Sequence, residues 1–236
     1  MFKTIAFLIA CFSCMLPVNL FSQETSRVSL NQETQVLRKG AKSIFRCEIF
    51  YDQEKDVIIT HYYYPTEFIK MSNRLGELKI YFPKENAVSI QQDPTFSSTN
   101  ETVYYFVNNK MMDLGLSKEG FRLLKTTHEE DLIVTTWQAP PSLKGIKEIK
   151  IVYREAVPIY AEYISTSGAV IKKLYYSQYQ DFSSFRLPLR ITEISFSSPS
   201  DSTISRSVYS NIRTSGFPAS NYFDFKIPAN AKIKKN

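Results

Sequence analysis

The sequence predicts a mainly β protein (α+β), with about ten to eleven antiparallel strands and two helices in one domain. Three observations carry that prediction. Phe (17) and Tyr (15) are abundant among the 236 residues, while Gly is limited to 7. Aromatic rings suit a pleated surface better than a helix, where they lose rotamer freedom. Short runs of alternating apolar residues recur between turn signals, the spacing expected of an all-β sheet or barrel. Finally, Tyr62-Tyr63-Tyr64, Phe68-Ile69, Tyr104-Tyr105-Phe106 and Met111-Met112 put bulky groups on both faces of successive strands. A curved sheet with helices laid into its concavity buries both sets.

Residues 1–22 read as an address rather than as fold. Lys3 precedes a nearly unbroken apolar run over 4–16, then Pro17-Val18-Asn19 and a small residue, Ser22, the pattern of a secretory signal peptide. The run is shorter than the roughly 20 apolar residues that span a bilayer. Leu8-Ile9-Ala10-Cys11 spells a bacterial lipobox, so the alternative is lipidation at Cys11 and anchoring at the outer membrane. Cleavage after Ser22 removes Cys11 and Cys14 and leaves Cys47 alone, best read as a buried strand residue.

In the mature chain, 23–236, Ser29 caps a helix over 30–41 whose stripe is Leu30, Val36 and Leu37. The period then changes to two, with Phe45, Cys47, Ile49 and Tyr51 on one face of a strand. A turn over 52–56 leads to a strand over 57–64, ended by Pro65. Strands over 68–71 and 78–82 flank a turn at Ser72-Asn73-Arg74. Strands over 88–90 and 103–107 bracket a polar loop containing Pro94. Ser117 caps a second helix over 118–125. Strands resume at 132–137, stopped by Pro140-Pro141, and at Ile149-x-Ile151-x-Tyr153. A hairpin follows, 159–164 and 170–176 around Ser167-Gly168, and strands over 187–196, 203–212 and 222–227 complete the series. No internal repeat or shift in composition divides the chain.

Several functions are excluded by what these residues do not spell. There is no G-x-x-x-x-G-K-[ST], no G-x-G-x-x-G and no G-x-S-x-G. His61 and His128 are the two histidines, and neither has metal-ligand spacing. The reading is therefore not an enzyme, with no cofactor and no metal. Lys+Arg (29) exceed Asp+Glu (23), a formal charge of +6. The lysines are dispersed apart from Lys172-Lys173 and the tail Lys232, Lys234 and Lys235. That distribution argues against nucleic acid and for a slight attraction to anionic lipid surfaces. Met111-Met112 suits a surface that repacks around variable acyl chains.

The order of the pieces resembles the periplasmic lipoprotein-carrier proteins, the LolA/LolB-like family. A signal peptide and N-terminal helix run into a strand, and the next strand ends at Pro65. The turn Met71-Ser72-Asn73-Arg74-Leu75-Gly76 leads into Leu78-Lys79-Ile80-Tyr81-Phe82-Pro83, similar to the family's apolar strand ending in Tyr-x-Pro. Leu187-Pro188-Leu189-Arg190-Ile191 opens a late strand. Tyr222-Phe223-Asp224-Phe225-Lys226-Ile227-Pro228 and Ala229-Asn230-Ala231-Lys232-Ile233 are similar to the family's terminal Phe-x-Phe-x-x-Pro-x-x-x-x-Val.

That resemblance implies a single curved antiparallel sheet, an unclosed half-barrel with helices as a lid over its concave face. It implies transfer without chemistry: acyl chains of lipoproteins or other lipids are held in a hydrophobic cavity of a monomeric periplasmic carrier, between an inner-membrane donor and an outer-membrane acceptor. By motif phase Ile58, Thr60 and Tyr62 face the cavity, with Ile80 and Phe82 nearby. Phe68, Tyr105, Met111 and Met112 complete the expected lipid-binding set. The carriers place an arginine at the head of the strand that starts here at Val57. This sequence has Glu54-Lys55 there, so Lys55 is the candidate lid latch. The alternative is an envelope interaction or sensor module on the same scaffold, without transport.

Overall fold

The first described strand occupies the stretch where the sequence predicts a helix. The computed structural model describes residues 27–198, 201–214 and 220–234. Residues 1–22, expected as a signal peptide, and Cys11 within them lie outside the described residues. Strand β1 (Arg27–Arg38) turns through Lys39 and Gly40 into β2 (Ala41–Asp52), with Arg38 opposite Ala41. Both turn residues have positive φ, 49° and 78°. A two-residue turn with that geometry matches the twist of the flanking strands. The helical stripe failed because the inward positions of β1 turn polar after Val28 and Leu30. Gln32 and Thr34 point the same way, and the Gln32 amide donates to Thr34 (2.8 Å) and to Ser207 (3.2 Å).

A meander continues from β2 as the alternation predicts: β3 (Val57–Tyr64), β4 (Phe68–Ser72), β5 (Glu77–Phe82) and β6 (Ala87–Gln92). A long segment, 93–121, then crosses the molecule. The second meander follows: β7 (Arg122–Glu129), β8 (Leu132–Gln138), β9 (Ile146–Arg154) and β10 (Val157–Ser165), then β11 (Val170–Asp181), β12 (Arg186–Ser198) and β13 (Asp201–Arg213). Pairing of β1 with β13 joins the two meanders into one sheet, ordered β14-β6-β5-β4-β3-β2-β1-β13-β12-β11-β10-β9-β8-β7. The two-residue β14 (Lys232–Ile233) adds to β6 in parallel. The sheet is curved and unclosed, and it has 14 strands rather than the ten to eleven expected.

The helices also need correction. Among the described residues the α-helical content is one six-residue helix, α1 (Thr102–Val107), placed where the sequence predicts a strand. Its residues favour strands locally, but Val103, Phe106 and Val107 fall on one helical face and are all buried. Tertiary burial overrides propensity here. The helix expected over 118–125 is absent. Gly120, at φ 84°, breaks that stretch, and Leu123 pairs with Trp137 in the β7–β8 ladder. The expected strand over 222–227 begins instead as a 3-10 turn, Asn221–Asp224.

Two apolar clusters lie on opposite faces of the sheet. One joins Val28, Leu30, Ile49, Tyr51 and Ile58 to Ile149, Ile151 and Ala161, under Val103 and Phe106 of α1. The other gathers Phe50, Ile59, Ile69, Tyr81 and Val88, covered by Tyr222, Phe223, Phe225 and Ile227. Doubly apolar strands thus have two different covers: the 93–121 segment on the concave side and the C-terminal segment on the convex side. Phe50 stacks on Tyr222 (centroids 5.1 Å apart) and meets Phe223 edge-on at 5.4 Å. Such pairs add roughly 0.5–1.5 kcal/mol each beyond area burial.

Candidate ligand cavity

Ladder register fixes which side chains look into the concavity. Residues directly opposite in neighbouring strands share a face. Tyr51 lies opposite Ile58, Ile49 opposite Thr60 and Cys47 opposite Tyr62. Tyr62 in turn lies opposite Phe68, and Lys70 opposite Ile80. At the other end Ile151 lies opposite Ala161, and Ala161 opposite Leu174. These rows form the inner wall, and the 93–121 segment roofs it.

Under that roof lies a cavity of about 690 Å³ whose floor is Ile149, Ile151, Ala161, Leu174 and Tyr176. Tyr105, Phe106, Leu114, Leu116 and Phe121 close it from above. Its volume falls within the ~300–1,000 Å³ typical of ligand cavities. Phe106 anchors the roof, fully buried with its ring 5.8 Å from Tyr176 and 6.2 Å from Tyr179. Tyr51 meets Tyr104 at 6.1 Å, and the Tyr51 hydroxyl accepts from the Asn108 amide at 2.7 Å.

The hollow continues along the sheet and changes character. A space of about 220 Å³ shares Thr102, Leu174 and Glu193 with the first cavity and is floored by Gln32, Thr60, Ser205 and Ser207. Lys70 pairs with Glu101 at its edge, and Lys172 pairs with Glu193 at 3.5 Å. A third space, about 430 Å³, shares Gln32, Tyr62 and Ser207 with the second and ends on Phe45, Cys47 and Phe68. The concave face is therefore an amphipathic trough, apolar at both ends and polar in the middle. Burial pushes the Tyr62 and Tyr105 phenols and the Cys47 thiol up to about 12, so all three are neutral near pH 7. The Cys47 thiol donates to the Gln32 carbonyl oxygen at 3.9 Å, as a buried strand residue.

The expected site residues are spread over this geometry. Tyr62 and Phe68 line the trough with rings stacked 4.4 Å apart. Ile58 is buried in the concave cluster, and Met111 packs against that cluster half-buried. Tyr105 borders the large cavity. Ile80 is half-buried on the concave side and borders none of the three spaces. Phe82 sits at the rim, 6.2 Å from Phe68, with the Lys234 ammonium 4.1 Å above its ring. Met112 is 66% exposed, on the outer side of the roof. Lys55 pairs with Asp52 and Asp224, both at 3.3 Å, which ties it to the C-terminal segment.

Most of the large cavity comes from residues outside that expected set. Ile149 and Ile151 stood out in sequence as clean alternation, and that was the available signal. Ala161 reaches Ile151 through β9–β10 pairing and Leu174 reaches Ala161 through the β10–β11 hairpin expected around Ser167-Gly168, but which face of that hairpin meets the roof is set by the 93–121 segment. Among the described residues no group of three or more His, Cys, Asp or Glu side chains is placed to hold a metal ion. No described helix is long and apolar enough to cross a membrane.

No protein-family model matches the chain, and no curated protein matches it by comparison. Solved structures do. A DUF1329 family protein from Desulfovibrio piger is similar at TM-score 0.58 and 14% identity, over 86% of this chain and 90% of its own. A LolA superfamily protein from Nitrosomonas europaea is similar at TM-score 0.53 and 14% identity, over 85% and 90%. A Vibrio parahaemolyticus domain named for outer membrane lipoprotein sorting is similar at TM-score 0.58 and 15% identity, over 86% and 91%. At such identities the likeness is one of fold, and the protein carries the fold of the LolA-superfamily structures.

Proposed function

We propose that the protein binds acyl chains of lipoproteins or other lipids in the cell envelope and transfers them without chemistry. The observation that carries this reading is the roofed apolar cavity of about 690 Å³ on the concave face. The fold likeness to a LolA superfamily protein and to a lipoprotein-sorting domain supports it. Each buried methylene contributes about 0.8 kcal/mol, so a chain of a dozen carbons is held strongly and leaves only for a comparable apolar site. The 93–121 roof supplies the path by moving, as lids over binding sites do. Export by residues 1–22 belongs to the same proposal, with Cys11 lipidation as its alternative. Radioactive palmitate incorporation that disappears in Cys11→Ser decides for the anchored form.

Native mass spectrometry of the protein purified from the cell envelope tests the binding. The expected result is co-purified acylated species that are lost in Leu174→Glu, which puts a charge on the cavity floor. A wild-type protein that is ligand-free and fails to take up added fatty acid overturns the reading and favours an interaction module on the same scaffold.

A further inference from the structure

A further cavity, of about 490 Å³, opens on the outer side of the roof and is walled by Arg74, Lys110 and Lys118. It shares Tyr105 and Gly115 with the apolar cavity, so this pair forms the partition between the two. The contact is tight: a Cβ on Gly115 would stand 2.2 Å from the Tyr105 hydroxyl. Backbone hydrogen bonds hold each residue in its own turn, and the contact between the two is one of packing.

Charge in the outer cavity is unbalanced. Lys118 donates to the Thr99 hydroxyl (2.7 Å) and the Asn100 side-chain oxygen (2.8 Å), both neutral acceptors. Lys110 donates to the Tyr104 hydroxyl and lies 4.6 Å from the centre of its ring. Neither lysine has a carboxylate partner among the described residues. Arg74 is paired with Asp56 at 3.4 Å. The single carboxylate in the wall, Asp113, accepts from the backbone N–H groups of Gly115 and Ser117, both at 3.1 Å. Those bonds shape the 113–117 turn and keep Asp113 charged, so one carboxylate stands in the wall against the two lysines.

We propose that Lys110 and Lys118 bind the anionic phosphate headgroup of an amphiphile whose chain enters the apolar cavity past Tyr105 and Gly115. This rests on the lipid-binding reading and adds the class of headgroup. Two ammonium groups held on neutral oxygens give charge-assisted hydrogen bonds to a phosphate, whereas the lysine lining the cavity next door, Lys172, is already paired with Glu193. The closeness of the two cavities makes one molecule long enough to occupy both.

Two ligands that differ only by a phosphate test it, 1-palmitoylglycerol and 1-palmitoyl lysophosphatidic acid, with inorganic phosphate as the third arm. Calorimetry on the full protein is expected to show the phosphorylated lipid binding about tenfold more tightly. That gap should vanish in K110A/K118A and persist in K110R/K118R. Equal binding of the two lipids by the wild type, or a gap that survives in K110A/K118A, overturns the headgroup site and leaves the cavity reading standing. Inorganic phosphate binding as tightly as the phosphorylated lipid overturns it in favour of a free-phosphate site. Failure of both lipids to bind overturns the cavity reading itself.

Discussion

The Arg27 guanidinium donates to both carboxylate oxygens of Asp224, at 3.2 and 3.0 Å, joining the first described strand to the C-terminal segment. Arg27 also pairs with Asp52 at 3.2 Å, and Lys55 bridges both carboxylates. Hydrogen bonds from Arg27 and Lys55 hold the Asp224 carboxyl below its ordinary value. A carboxyl depressed in the folded state stabilises the fold fully above its unfolded value. That contribution fades as pH falls through the lower folded value. The protection factors of residues 222–231, exchange corrected for the pH dependence of the amide chemistry itself, are therefore expected to fall on acidification in the wild type. Asp224→Asn should show low protection factors there already at pH 7 and lose their pH dependence, while β9–β11 stay protected in both.

Phe223 closes the convex cluster from outside, edge-on to Phe50 and 5.1 Å under the Arg27 guanidinium. Phe223→Ala should destabilise by about 2 kcal/mol, short of the ~3–5 for a fully buried phenylalanine because the ring is half-buried. Urea unfolding measures this, and an unchanged midpoint would show that the C-terminal segment contributes nothing to the sheet.

Ala161 is buried on the floor of the large cavity between Ile151 and Leu174. Ala161→Leu adds volume toward empty space, so it should cost less than the ~1–3 kcal/mol of ordinary overpacking. It should weaken binding of a fluorescent fatty acid by about tenfold, the loss of roughly two methylenes' burial. Retained affinity would mean the chain lies elsewhere in the trough.

Gly76 adopts φ 82°, and a Cβ there would stand 2.2 Å from the backbone oxygen of Asp93. Its own carbonyl accepts from the Asp93 N–H at 3.1 Å, so it docks the start of the roof segment. Gly76→Ala should destabilise by more than about 1 kcal/mol, since neither the conformation nor the space admits a methyl group. Thermal unfolding reads the loss, and wild-type stability in the variant would refute the docking.

Strands β3 to β6 were legible because their apolar alternation is bounded by turn residues and Pro65. The first strand was hidden because Gln32 and Thr34 occupy inward positions, and their partner, Ser207, is distant in sequence. The roof helix was hidden for the opposite reason: Thr102–Val107 has strand propensity throughout, and only the burial of Val103, Phe106 and Val107 selects the helix. In the trough, Tyr62 and Phe68 follow from the β3–β4 hairpin, a local feature. The pairing of Ala161 with Leu174 likewise follows from the β10–β11 hairpin, but its place beneath the roof depends on where the 93–121 segment crosses, and the basic outer cavity depends on where a turn falls. Short-range pattern contains neither placement.

The 93–121 segment is also the connection from β6, beside one margin of the sheet, to β7 at the other. It is fastened at both ends like the handle of a bucket. Any spreading of the open half-barrel must lengthen the distance that this handle spans. Sheet curvature and access to the hollow are accordingly one mechanical coordinate, and a ligand that wedges the trough wider draws its own cover taut.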